Sequence, residues 1–251
     1  MFCPHCGKEM NGEQAFCQHC GGRISPEPPE IAIRSRTAWE DRGERGFFGS
    51  LLATLQESLF RPTGFFRSMN VTGGLTEPLL YAMITAVVGF LASYLWQILL
   101  RDALHGYVPE RLQGTAGLDL FSGIGLAVLS LLLPFLIIAV LFLWSGVLHV
   151  LLLMVKGASN GFEATFRVVS YSFGSNLLLV IPFCGGFIAS LWSMVLVIIG
   201  LKEAHGTTGG KAAFAVLFPL LLCCAAAVLT LLVVFGTIAA SLGSLSQQPW
   251  K

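Results

Sequence analysis

A chain of 251 residues in which 55% are hydrophobic and 12% charged is too apolar for an ordinary soluble domain, where about a quarter of residues are charged. The formal net charge of +1 excludes recognition of nucleic acid or of a strongly acidic partner by bulk charge. The polarity is uneven: eight of the fifteen Lys and Arg lie in residues 1–77, and long Leu, Val, Ile, Phe and Ala runs dominate the rest. That distribution predicts a polar front end and a body embedded in a bilayer.

The front end opens with Cys3-x-x-Cys6 and Cys17-x-x-Cys20, each pair followed by glycine, Gly7 and Gly21. A two-residue gap lets two thiolates on one tight turn reach the same ion, and glycine tolerates the backbone such a turn needs. Four thiolates close a tetrahedral shell and leave no position for a catalytic water, so the pattern predicts a structural Zn2+ site, with iron as an alternative by ligand softness. His5 and His19 fall inside the knuckles and are expected to face solvent. Met1 leads straight into this motif rather than into a basic and then apolar stretch, so no secretory signal peptide is expected and the module should stay in the cytoplasm. A zinc ribbon over 1–23 cannot bury much core; its folding rests on the metal.

Residues 24–46 read Ser-Pro-Glu-Pro-Pro-Glu and then mixed charge, the composition of a disordered linker. Phe47, Phe48, Leu51, Leu52, Leu55 and Leu59 then recur at helical spacing, with Ser50, Thr54, Gln56, Glu57 and Ser58 largely elsewhere, predicting an amphipathic helix ended by Arg61-Pro62. With Phe65-Phe66 and Arg67 it could lie in the headgroup layer or pack on the cytoplasmic ends of the membrane helices.

A span needs about 20 apolar residues. Residues 79–100, 162–181, 183–204 and 214–241 meet that. The run 120–155 would be about 54 Å long as a straight helix, against a hydrocarbon core of about 30 Å, and Pro134 is its natural kink; it is taken as one crossing with a tilted or interfacial first part. Five crossings with the N-terminus inside place Lys156, Arg167, Lys202 and Lys211 with the basic front end and leave Arg101, Arg111 and Lys251 outside, following the positive-inside rule. Splitting 120–155 into two crossings reverses that bias. The predicted fold class is an all-α polytopic membrane domain of five helices over 47–242, preceded by the zinc ribbon and the amphipathic helix.

Three stretches carry a family pattern. They are Leu59-Phe60-Arg61-Pro62-Thr63-Gly64-Phe65-Phe66 ahead of Pro78-Leu79-Leu80, the run from Gly161-Phe162-Glu163 through Arg167 to Tyr171-Ser172, and Ile198-Ile199-Gly200-Leu201-Lys202-Glu203-Ala204-His205-Gly206 followed by Lys211-Ala212. In this order and spacing, over about 51–242, the chain resembles bacterial members of the Yip family, the Ypt/Rab-interacting polytopic membrane proteins. The resemblance implies a five-helix membrane domain with a cytoplasmic N-terminus. In eukaryotes such proteins are associated with small-GTPase-linked vesicle traffic; the zinc ribbon and the lack of an acidic, glycine-containing lead-in motif set this chain apart from that branch.

Polar residues in the body are few. Glu163 and Arg167 are spaced i,i+4 as an anchoring or packing pair; Lys202, Glu203 and His205 cluster at a helix end, where snorkelling and capping account for them. His149, Tyr171, Ser172, Ser175, Asn176, Ser190 and Ser193 are expected to hydrogen-bond between helices, with His149 and Asn176 as functional candidates. The apolar cores hold no carboxylate, and the chain has no His-Glu-x-x-His, nucleophile elbow or phosphate-binding glycine loop, so no enzyme is expected. The reading is a non-catalytic inner-membrane scaffold whose ribbon docks a cytoplasmic protein, with room for an oligomer. The alternative is a permeation or lipid-moving protein with a polar path near His149, Tyr171 and Asn176. A membrane enzyme using Glu163 and His205 is a weaker third.

Overall fold

The computed structural model describes residues 6–9, 19–20, 34–104 and 124–246. The chain divides into two units, Met1–Arg34 and Ser35–Lys251. In the first, Gly7 beside Cys6 adopts φ +68°, a left-handed conformation that glycine takes without steric cost.

The second unit is helical. A single isolated bridge, Ser35 to Met69, is the extended pairing among its described residues. Its helices are α1 (Arg42–Arg45), α2 (Phe47–Phe60), α3 (Pro62–Ser68), α4 (Thr76–Leu104), α5 (Ile124–Met154), α6 (Gly161–Ser172), a 3-10 helix (Phe173–Val180), α7 (Gly185–His205) and α8 (Gly209–Ser246). Among the described residues four are long and apolar enough to cross a membrane: Thr76–Leu100, Leu131–Met154, Gly185–His205 and Gly209–Thr237. The protein is therefore an integral membrane protein. Pro134 lies inside α5, which remains one helix, as expected of a single crossing.

The expected third span differs in kind. Residues 161–180 run as α6 and then the 3-10 helix, not as one α-helix over 162–181. The hydroxyls at the junction draw the backbone tighter: Ser172 Oγ donates to Val168 O at 2.8 Å and Ser175 Oγ to Ser172 O at 2.9 Å. Ile181 is extended, as a residue before proline prefers, and the rod stops there. Every residue from Ala164 to Ser172 is buried. The α6 part of this rod lies in the interior of the bundle, and neither α6, with 12 residues, nor the 3-10 helix, with 8, is long enough by itself to cross a membrane.

Against the rod, α4 approaches so closely that a Cβ on Gly89 would stand 2.3 Å from Asn176 O. The core around it contains Tyr81, Leu141, Leu148, Leu152, Phe166, Val168, Leu196 and Leu201, all buried. From Leu220 to Phe235 the described face of α8 is exposed, the surface lipid would cover.

At the front of this unit one expectation is corrected and alternatives left open by the sequence are decided. The linker 24–46 does not extend to 46. Residues 24–33 lie outside the described residues, but from Ser35 the chain is packed: Ser35 N donates to Ser68 O at 2.7 Å and Trp39 is 1% exposed. The Phe65-Phe66 pair is in the core rather than at the headgroups. The amphipathic helix α2 also turns an unexpected face inward. Ser50, Thr54 and Ser58, spaced i,i+4,i+8, are fully buried, while Phe48, Leu52 and Phe60 are 76%, 61% and 78% exposed. Short hydroxyl side chains allow close helix packing with their own hydrogen bonds satisfied, as Ser50 Oγ to Gly46 O at 2.8 Å shows. Leu59 is buried and Leu51 and Leu55 pack partly on the core, so Phe48, Leu52 and Phe60 are what is left for lipid.

Candidate functional site

Polar chemistry collects at one end of the bundle. There the start of α4 meets α6 through Gly74 N donating to Glu163 Oε1 at 2.6 Å, α3 meets α7 through Arg67 Nε and Glu203 Oε2 at 2.9 Å, and α8 meets the end of α5 through Lys211 Nζ donating to Lys156 O at 3.0 Å. We call it the basic end. At the other end, Trp96 Nε1 of α4 donates to Val180 O at 2.8 Å, where the 3-10 helix finishes.

The centre of the basic end is a buried ion pair. Arg167, 1% exposed, projects from α6 and uses its whole guanidinium: Nε donates to Asn70 O at 2.7 Å, Nη1 to Gly74 O at 3.0 Å, and Nη2 pairs with Glu40 Oε1. Four residues on, Tyr171 presents its hydroxyl on the same face; it donates to Glu40 Oε1 at 2.9 Å and shares a hydrogen bond with Thr37 Oγ1 at 3.0 Å. Glu40 Oε2 accepts from Thr37 N at 3.2 Å. A buried charge pair survives only when its remaining donors and acceptors are also satisfied, and here they are. Next to it Trp39 donates from Nε1 to Glu77 O at 2.9 Å and from its backbone to Thr54 Oγ1 at 2.8 Å. The Arg42 guanidinium lies 4.9 Å over the indole and is paired with Glu77, whose carboxylate raises the Arg42 pKa. Glu40, Trp39 and Thr37 were read as linker; the one signal available was a tryptophan in a polar stretch.

A second group joins three helices. His149 Nδ1 on α5 and His205 Nε2 at the end of α7 each lie 2.9 Å from Thr165 Oγ1 on α6. Asn160 N donates to His205 Nδ1 at 3.2 Å, so that nitrogen is unprotonated and Nε2 carries the hydrogen. His205 Nε2–H therefore donates to Thr165 Oγ1, which also shares a hydrogen bond with His149 Nδ1. This tautomer assignment follows from the hydrogen bonds alone. Thr165 was missed because a threonine in a helix carries no spacing signal.

With this geometry in view, the Yip1 domain family model matches residues 57–232. The chain belongs to the Yip1 domain family. No curated protein matches it, and no solved structure does. The match runs from the end of α2 into α8, so both buried groups are built mainly on the Yip1 domain, with 35–45 added from outside it.

The remaining predicted residues take separate places. Glu163 does not pair with Arg167; its carboxylate goes to Gly74 N, because Glu40 holds the guanidinium. Lys202 Nζ pairs with Glu203 Oε1 at 3.0 Å on the exposed surface. Asn176 packs its backbone against Gly89. Ser172, Ser175 and Ser190 bond carbonyls of their own helical segments rather than neighbouring helices. His149, Tyr171 and Asn176 belong to three different groups of contacts and do not together line one path. Of the four cysteines, Cys6 and Cys20 are exposed, while Cys3 and Cys17 lie outside the described residues. Among the described residues no three His, Cys, Asp or Glu side chains converge on one point.

Proposed function

We propose that the protein is a non-catalytic, membrane-organising scaffold of bacterial Yip type, in which a zinc ribbon held by Cys3, Cys6, Cys17 and Cys20 docks a cytoplasmic protein. The observation that carries this reading is the Glu40–Arg167–Tyr171 clamp. Its charged and hydroxyl groups are all engaged with one another and with Asn70 O, Gly74 O and Thr37, which leaves no group poised for chemistry and fixes residues 35–45 on the membrane domain. The chain toward the ribbon then departs from a rigid point at the basic end.

Topology supports the same reading. Residues 161–180 start at the basic end and finish beside Trp96, and twelve α-helical plus eight 3-10 residues rise about 34 Å, enough for the hydrocarbon core. Counted as a crossing whose α6 part is shielded from lipid, this rod gives five, and the basic end with Arg67, Lys156, Lys202 and Lys211 faces the cytoplasm of an inner membrane. The outward Phe48, Leu52 and Phe60 of α2 then meet the inner leaflet.

The test is a pull-down from native membranes comparing the full chain, Cys3→Ser/Cys6→Ser and a chain lacking residues 1–22, with zinc measured in each. One zinc per chain and a partner lost in both variants supports the scaffold. Partners that persist without the ribbon overturn it.

A further inference from the structure

Two connections close the basic end, 155–160 between α5 and α6 and 206–208 between α7 and α8. Between them lies a cavity of about 400 Å3 whose walls include Lys156, Lys211, Ser159, Thr207, Thr208 and His205. That volume is in the usual range for a small-molecule site. None of the described residues lining it is a carboxylate. The nearest acidic groups are engaged elsewhere, Glu203 by Arg67 and Lys202 and Glu163 by Gly74 N.

The donors are arranged for an anion. Lys211 Nζ spends one of its three N–H groups on Lys156 O, which holds the ammonium over the cavity with two left. Lys156 itself takes φ +52°, a left-handed backbone that a non-glycine residue adopts only when held there. The caps also engage one helix-end carbonyl of each helix: Gly157 N donates to Leu152 O at 2.7 Å and Thr207 N to Lys202 O at 3.0 Å. The first hydrogen bond into α8 is Ala212 N to Thr208 O, so the amides of the first turn, over the small Gly209 and Gly210, have no acceptor within the helix. Snorkelling would explain two lysines at a membrane surface, but not a pocket between them lined by hydroxyls and without acidic residues. Leu153, 54% exposed, completes the wall on the apolar side.

We propose that this cavity binds a phosphoryl anion, with Lys156 and Lys211 as charge partners and the Thr207 and Thr208 hydroxyls as further donors, the Ser159 hydroxyl being given to His205 O. Phosphate oxygens accept several charge-assisted hydrogen bonds at once, which this donor set supplies. The anion could be carried by an anionic phospholipid headgroup in the adjoining leaflet or be free in solution, and the experiment separates these sources.

The full-length protein in detergent is titrated calorimetrically with dihexanoyl phosphatidylglycerol and, separately, with inorganic phosphate. Wild type, Lys211→Gln and Lys156→Gln/Lys211→Gln are compared, with thermal unfolding run on each to show that the fold is kept. Saturable binding of the short-chain lipid that weakens about tenfold for each lysine removed supports a headgroup site. The same loss seen with inorganic phosphate supports a free-phosphate site. Absence of saturable binding of either probe to wild type overturns the proposal, as does binding that stays within about twofold in the double variant.

Discussion

Glu40→Ala removes the carboxylate that pairs with Arg167, a side chain 1% exposed, and leaves a buried guanidinium with the two carbonyls of Asn70 and Gly74. Breaking one partner out of a buried ion pair costs about 3–5 kcal/mol. Because the two carbonyls remain and Tyr171 keeps Thr37, the expected cost is near the lower end, about 3 kcal/mol. For a chain of this size that corresponds to a fall in Tm of about 6–12 °C. The assay is thermal unfolding in detergent followed by tryptophan fluorescence, with Trp39 adjacent to the lesion, together with tryptic cleavage after Arg42 to catch detachment of 35–45 alone. Glu40→Gln keeps an acceptor and should lose about half as much. Arg167→Met in the Glu40→Ala background should cost less than the two single changes added, since it removes the stranded charge; contacting residues of this kind couple by about 0.5–3 kcal/mol. Unchanged Tm and unchanged cleavage in Glu40→Ala, or strict additivity in the double variant, would show that this clamp does not hold the segment.

Gly89→Val drives a side chain into Asn176 O across the α4 contact, and overpacking of this kind costs about 1–3 kcal/mol in the same assay; Gly64→Ala, where a Cβ meets nothing within 4 Å, should not destabilise. Thr165→Val keeps the shape but takes the hydroxyl from His149 Nδ1 and His205 Nε2, for an expected loss of about 1–3 kcal/mol that Thr165→Ser restores. In a chain with Cys223 and Cys224 changed to Ala, a membrane-impermeant maleimide should reach Cys184 from the side opposite Cys6, because three crossings separate them if residues 161–180 span. Labelling of both from one side would remove that crossing.

Lengths and positions of the lipid-facing helices were legible because an apolar run reports directly on what surrounds it. The expected 79–100, 183–204 and 214–241 correspond to α4, α7 and α8 to within a few residues at most ends, α8 being longer at both. Pro134 was correctly left inside one helix. The helical period of 47–59 was legible too, but not which face it buries, since the period is the same whether Ser50, Thr54 and Ser58 or Phe48 and Leu52 turn inward. In water the apolar face goes to the core; beside a bilayer it can face lipid, and only the packed structure chooses.

The polar groups show the same division. The sequence singled out Arg167, Tyr171, His149 and His205 as unusual residues in an apolar body, and all four are in hydrogen-bonded groups. It could not supply their partners. The pairing offered by local spacing, Glu163 with Arg167, lost to Glu40, which lies 127 positions away. Composition and periodicity determined that this is a membrane protein and where its lipid-facing helices run. Tertiary structure decided which carboxylate meets the buried arginine, which threonine links the two histidines, and that the innermost rod changes from α to 3-10, because those outcomes depend on groups brought together from distant parts of the chain and leave no local pattern to read.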